Sequence, residues 1–207
     1  MNQIRCDESP MKEQLKLHIQ EISDALNHSL QVIDNENHCM LSDLEAIQER
    51  FRRVESIAAS FYMQCYLSAF SIQYSDLTIA VDHLSKRRHG ALIVIQRNDS
   101  IVEHLHNGIP VGAKVSYSLL ESIFYPGNPL HDGAVYISYD QIISAANVLP
   151  LSAMIVENKK LGTRHRAAIG ITERTDALAL VVSEETGQTS FAYKGQLHPI
   201  IMSDIIV

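Results

Sequence analysis

Arg87-Arg88-His89-Gly90-Ala91-Leu92-Ile93-Val94-Ile95 is where this chain changes character. The apolar run 91–95 is short, largely β-branched and bounded by a glycine, which is the pattern of a buried strand. All nine glycines lie at or beyond Gly90, and five of the six prolines lie beyond His89. Glycine and proline punctuate turns, so the part before this point reads as continuously helical and the part after it as strands and turns.

Working back from it, residues 76–88 read as a helix. Further upstream, Ser9-Pro10 is a helix start, with Ser9 at the N-cap and Pro10 in the first turn. Leu15, Ile19, Ile22, Leu26, Leu30 and Ile33 then recur every three or four residues as one apolar stripe. Residues 34–38 form a polar connection. A second start falls at Ser42, with Glu45 completing a capping box. Leu44, Ile47, Phe51, Val54, Ala58 and Phe61 continue it. Two such stripes joined by a short loop predict an antiparallel helical hairpin over residues 1–62. It reads either as a structural appendage or as an oligomerisation or regulatory element.

Working forward, residues 115–124 are helix-like. Residues 134–138 and 141–149 read as strands around Tyr139-Asp140, and 167–172, 177–183 and 190–193 as further strands. The fold class is therefore α/β, a mixed central sheet flanked by helices in residues 63–207, preceded by the two-helix hairpin.

Bulk properties narrow the function. Hydrophobic residues make up 46% of the 207, enough for a core and too many for a disordered chain. The formal charge of −7 disfavours nucleic acid as a partner, so a polyanionic substrate needs a local basic pocket. Cys6, Cys39 and Cys65 show neither zinc spacing nor a disulfide framework, which points to a reducing compartment, the cytoplasm. The N-terminus has no apolar core of a signal peptide. Residues 56–75 carry no charge and have the length of a bilayer span, but serines and glutamines scattered through them predict a helix buried by protein, with no membrane partner.

Three clusters carry candidate chemistry. In Pro129-Leu130-His131-Asp132-Gly133-Ala134, a carboxylate sits beside a glycine just before a strand. Asp132 can bind a metal or take a proton, and Gly133 lets a substrate approach the backbone. Taken alone, Asp-Gly is more often a tight turn. In Leu161-Gly162-Thr163-Arg164-His165-Arg166, backbone N–H groups, a hydroxyl and two permanent cations suit phosphate oxygens, although a solvated basic loop has the same composition. In Ser183-Glu184-Glu185-Thr186-Gly187, a strand delivers carboxylates and hydroxyls to a turn, which equally describes an ordinary polar strand end.

The order PLHDGAV, LPLS, LGTRHRAAIGITE and VSEETG resembles the catalytic domain of diadenylate cyclases, whose two signatures, DGA and RHR, are both intact. RRHGALIVI and NGIPVGAKVS extend the resemblance from about residue 76 to 199. The N-terminal hairpin resembles the soluble, sporulation-associated branch of that family. The resemblance implies condensation of two ATP into cyclic di-AMP with release of two pyrophosphates. It implies that Asp132 helps activate the 3′-hydroxyl and bind a divalent metal (Mn2+, Mg2+ or Co2+), with Glu185 near metal or triphosphate and His131 as a further candidate ligand. Gly133 would admit the substrate, while Gly162, Thr163, Arg164, His165 and Arg166 would embrace the phosphates. Ser183 would line the same site, and Leu149 would contact adenine, next to Val148 where some relatives carry an aromatic residue.

A product with two equivalent halves implies two ATP-loaded sites facing each other in a twofold dimer. The same branch implies a higher oligomer such as a hexamer, within which the hairpin restrains activity. Two rival readings stand beside this one. The first is a non-catalytic module sensing ATP or cyclic di-AMP. The second is a metal-dependent hydrolase built on His104-Leu105-His106, which otherwise reads as an exposed strand end.

Overall fold

A computed structural model of the chain describes residues 9–35, 38–68, 74–153 and 161–201. The helices are α1 (Ser9–Val32), α2 (Met40–Ser68), α3 (Tyr74–Arg87), α4 (Tyr117–Ile123) and α5 (Thr163–Thr172). The strands are β1 (Ala91–Ile95), β2 (Ile109–Lys114), β3 (Ala134–Ser138), β4 (Gln141–Asn147), β5 (Leu178–Val182), β6 (Thr189–Tyr193) and β7 (Gln196–Ile200). They form one seven-stranded sheet in the order β2-β4-β3-β1-β5-β6-β7. Only the β1–β3 pair is parallel, with Ile93 opposite Val135; all other neighbours are antiparallel.

The centre of the sheet is buried on both faces, which is why its strands read as unbroken apolar runs. Successive side chains still alternate. Ala91, Ile93, Ile95, Val135, Ile137, Leu178 and Leu180 join a core with α3, α4 and the end of α2. Leu92, Val94, Ala134, Tyr136, Ala179 and Val181 join a second core with α5, Ile101 and Leu149. Each fully buried Leu or Ile stabilises the sheet by roughly 1.5–3 kcal/mol, so the two layers fix the register.

Residues 167–172, expected as a strand, are the body of α5. Ala167 to Thr172 are all buried, so no polar face marks the helical period, and short apolar runs of this kind are ambiguous in sequence. The second helix start is also corrected. α2 begins at Met40, and Ser42 lies inside it, its hydroxyl donating to the Cys39 carbonyl at 2.8 Å instead of capping. α4 is shorter than expected, with Ser116 as its N-cap accepting from the Leu119 amide. β2 and β7, each rich in polar or proline residues, carry no readable strand pattern. His104 closes a 3-10 turn and His106 bridges Val148, so this segment is not a strand end.

α1 and α2 form the antiparallel hairpin, cross-linked by Ser29 to Asp43 at 3.3 Å and by Arg50 to the Glu21 carbonyl at 3.4 Å. The expected α1 stripe divides in two. Ile22 is buried and Leu15 half-buried, whereas Ile19, Leu26, Leu30 and Ile33 are exposed. Residue 62 falls within the continuous helix α2, and Ala59, Met63 and Leu67 belong to the main core. Cys39 is an exposed thiol and Cys65 is buried, while Cys6 lies outside the described residues. Among the described residues, no helix is long and apolar enough to cross a membrane.

Candidate active site

The sheet gathers the three clusters at one end. β1 and β3 run parallel, so Gly90 and Asp132-Gly133 enter their strands side by side. β5 is antiparallel to β1, with Val182 opposite Ala91, which carries Ser183 to Glu185 back to the same end. β4 is antiparallel to β3, with Asn147 opposite Ala134, which delivers Leu149 there too. The first turn of α5 closes the group, Arg164 Nη1 donating to Glu184 Oε2 at 2.7 Å.

Gly133 is the fixed point of the Asp132 loop. Its φ is +122°, and a Cβ there would stand 2.7 Å from the Ala146 carbonyl carbon. Opposite it, Ala146 adopts a φ of 55° where the β3–β4 register shifts. A left-handed alanine costs about 1–2 kcal/mol, and its neighbour holds it. Asn147, only 2% exposed, donates from Nδ2 to the Ala134 carbonyl at 2.8 Å and accepts from Ser144 at 3.0 Å. Asn147 was not singled out in sequence, and a buried amide at a strand end leaves no pattern to find.

Asp132 itself is exposed, and its carboxylate has no hydrogen bond or ion pair among the described residues. His131 faces the other way. Its Nδ1 lies 2.5 Å from the Asn128 carbonyl, which only accepts, so this nitrogen is the donor of the pair.

Arg164 to Arg166 are the start of α5, capped by Gly162 and with no acidic residue in the first turn. The first N–H groups of a helix have no intrahelical acceptor and face outward with a partial positive charge. A phosphate is the fitting occupant for such an end flanked by two arginines. This signal was hidden in sequence because the following residues read as a strand.

The three side chains then diverge. Arg164 turns to Glu184. Arg166 Nη2 donates to the Ser152 carbonyl at 3.1 Å. His165 is half-buried, and that burial, helped by the Arg164 charge, holds its imidazole below the usual range, with Glu185 pulling it partway back. His165 is therefore neutral at neutral pH. Ser183 Oγ accepts from the Thr186 amide at 3.3 Å, which shapes the turn that carries both glutamates. Leu149 packs in the second core, while Val148 and Leu151 on either side are exposed.

A divalent ion has hard-oxygen chemistry to meet here. Among the described residues no three histidine, cysteine, aspartate or glutamate side chains cluster as a cage, so His131, Asp132 and Glu185 are not assembled into one ligand set. An unpartnered carboxylate fits the other mode, in which one or two carboxylates hold an ion shared with substrate phosphates. Among these residues Asp132 fits that role best.

Two family models match the chain. DisA bacterial checkpoint controller nucleotide-binding covers residues 78–197, and diadenylate cyclase CdaS, N-terminal, covers residues 2–70. The chain is 46% identical to diadenylate cyclase CdaS of Bacillus thuringiensis, over 92% of this chain and 96% of that protein. It is 43% identical to cyclic di-AMP synthase CdaS of Bacillus subtilis, over 95% of each. Among solved structures, one described as a hypothetical membrane spanning protein from Bacillus cereus matches with a TM-score of 0.77 at 47% identity, over 94% of this chain and 95% of that one. DacA from Staphylococcus aureus matches with a TM-score of 0.60 at 43% identity, over 63% of this chain and 87% of that one.

Proposed function

This chain belongs to the diadenylate cyclase family, and from that premise we propose that it condenses two ATP into 3′,5′-linked cyclic di-AMP and two pyrophosphates at the end of the sheet that holds Asp132 and α5. The observation that supports the site assignment is that the sheet register carries Asp132-Gly133 to the same end as Ser183 to Glu185, which α5 reaches through the Arg164–Glu184 pair. Each half-reaction is attack of an ATP 3′-hydroxyl on the α-phosphate of the other ATP.

The chain's residues divide the work. The free N–H groups of Thr163 and its neighbours, with Arg164, hold the triphosphate and oppose the charge that gathers on the phosphorus oxygens. Asp132 orients the attacking hydroxyl and draws its proton. Gly133 lets the ribose approach the backbone. His165, neutral, accepts or donates a hydrogen bond without adding charge. Ser183 and Glu185 border the phosphates. Arg166 acts through Ser152, fixing the segment on which Leu149, Val148 and Leu151 flank the adenine. When bound, a divalent ion supplies Lewis-acid polarisation of the phosphate; Asp132 would hold it, with Glu185 nearby.

The product has two equivalent halves, so the reading requires two ATP-loaded catalytic domains face to face. Residues 1–62 act as the assembling and restraining element, and residues 63–207 as the catalytic domain. Exposed Leu26 and Leu30 on α1 and Leu41 and Phe51 on α2 support a second copy as the occupant of the hairpin surface, in an assembly beyond the dimer. A substrate such as ATP sets the cytoplasm as the place of action in this reading.

The test compares wild type with Asp132→Asn, given ATP and Mn2+, for cyclic di-AMP and pyrophosphate. Equal product from both would overturn the site. ATP binding without product from wild type would favour the sensing module.

A further inference from the structure

Glu184 lies beside the expected site residue Glu185 and had no role of its own. In the structure the two adjacent carboxylates serve different partners. Glu185 acts electrostatically on His165, while Glu184 takes the Arg164 guanidinium at 2.7 Å. The arginine is mostly covered, its side chain 21% exposed, whereas Glu184 is 64% exposed. Arg164 Nε is buried and has no hydrogen-bond partner among the described residues.

The covering is tight. A Cβ on Gly90 would stand 2.5 Å from Arg164 Nη1, 2.9 Å from its Cζ and 3.0 Å from Glu184 Cβ. The guanidinium therefore sits close over Gly90 where β1 begins, and any side chain at residue 90 would displace it. The turn that carries Glu184 is itself braced. The Gly187 amide donates to the Ser183 carbonyl at 2.9 Å, and the Ser183 amide donates to the Gln188 carbonyl at 3.0 Å. Ser85, near the end of α3, donates its hydroxyl to the Gly187 carbonyl at 2.6 Å. A carboxylate on a turn pinned at both ends has a fixed location, and it fixes the flexible arginine bound to it.

We propose that Glu184 is a positioning residue for the cyclase reaction, holding the Arg164 guanidinium against Gly90 in the orientation that receives an ATP phosphate. The proposal rests on the function proposed above. An arginine fork gains affinity from geometry as well as charge, so a guanidinium already held loses less freedom when phosphate arrives. The pair is too exposed to matter much for stability, so its effect belongs to substrate handling.

The test uses the full chain with Glu184→Ala and Glu184→Gln. Initial rates with ATP and Mn2+ give kcat and KM, thermal unfolding gives Tm, and titration with a non-hydrolysable ATP analogue gives binding apart from turnover. Glu184→Ala is expected to lower kcat/KM and analogue affinity by about tenfold, the loss of one charge-assisted hydrogen bond. Glu184→Gln keeps an acceptor oxygen and is expected to recover part of that loss, with Tm unchanged in both. Unchanged affinity in Glu184→Ala would overturn the proposal. Tighter binding would overturn it too, making Glu184 a competitor of phosphate, and a loss matched by a fall in Tm would make it structural. Absence of product from wild type would sink the parent function, while the analogue titration still decides on Glu184.

Discussion

Arg166 and Ser152 grip each other twice: the Ser152 amide donates to the Arg166 carbonyl at 3.0 Å, and the Arg166 guanidinium donates to the Ser152 carbonyl. The second arginine of the RHR signature thereby ties α5 to the segment that follows β4. Arg166→Lys keeps the charge and loses the fork that reaches one oxygen with Nε and Nη2. The expected result is an ATP KM raised several-fold with kcat less affected, read from steady-state kinetics. A kcat loss alone would assign Arg166 directly to the reacting phosphate.

Asp132→Asn is expected to cut cyclic di-AMP formation by about a hundredfold or more, the usual scale for losing one well-placed electrostatic group. Because the carboxylate is exposed and unpartnered among the described residues, Tm should stay at the wild-type value. A matching fall in Tm would show that the loss is one of folding.

Gly133→Ala meets two obstacles, a φ of +122° and backbone 2.7 Å from the new methyl group. Neither is the far end of a flexible side chain. Destabilisation of about 2 kcal/mol or more is expected in urea unfolding, together with loss of activity. A neutral effect would mean that the Asp132 loop relaxes freely.

His165 has a pKa depressed by burial, then by Arg164. The unfolded chain therefore takes up this proton at higher pH than the folded one. The resulting stability is present above the unfolded imidazole value of about 6.5 and is lost as pH falls through the lower folded value. Urea midpoints should drop from pH 7.5 to 5.5 in wild type and drop less in His165→Gln. Parallel slopes would remove His165 as the source.

Leu30→Glu combined with Phe51→Glu places charge on the exposed apolar surface of the hairpin, at residues 68% and 61% exposed. If that surface holds copies together, light scattering should show a smaller assembly, and the activity per chain should rise as restraint is relieved. An unchanged mass would leave the hairpin without its assembling role.

The sequence announces some of these features and hides others. β1, β3 and β5 are legible because both faces of the central sheet are buried and their runs are apolar without interruption. The hairpin is legible from its three-and-four spacing, but not which side of α1 faces α2: Ile19 and Ile22 look equivalent until one is buried and the other is not. α5 is lost because its residues 167–172 are all buried and leave no polar face to set the period. Arg164, His165 and Arg166 are easy to find as a cluster, yet the partners of the two arginines, Glu184 and Ser152, depend on strand ends brought together from distant parts of the chain.

The continuity of α2 has a mechanical consequence. Its 29 residues run from the loop of the hairpin to the core without a break, a rod about 44 Å long at 1.5 Å per residue. Its inner end is seated by Met63 and Leu67 under the sheet, so the rod has a socket at one end and a free tip at the other. A tilt of about five degrees at the socket swings the tip by about 4 Å, enough to unseat one side chain from a neighbouring copy. Contacts made far out on the hairpin are thereby geared down into small displacements beneath β7, and small shifts beneath β7 are geared up into large ones at the tip.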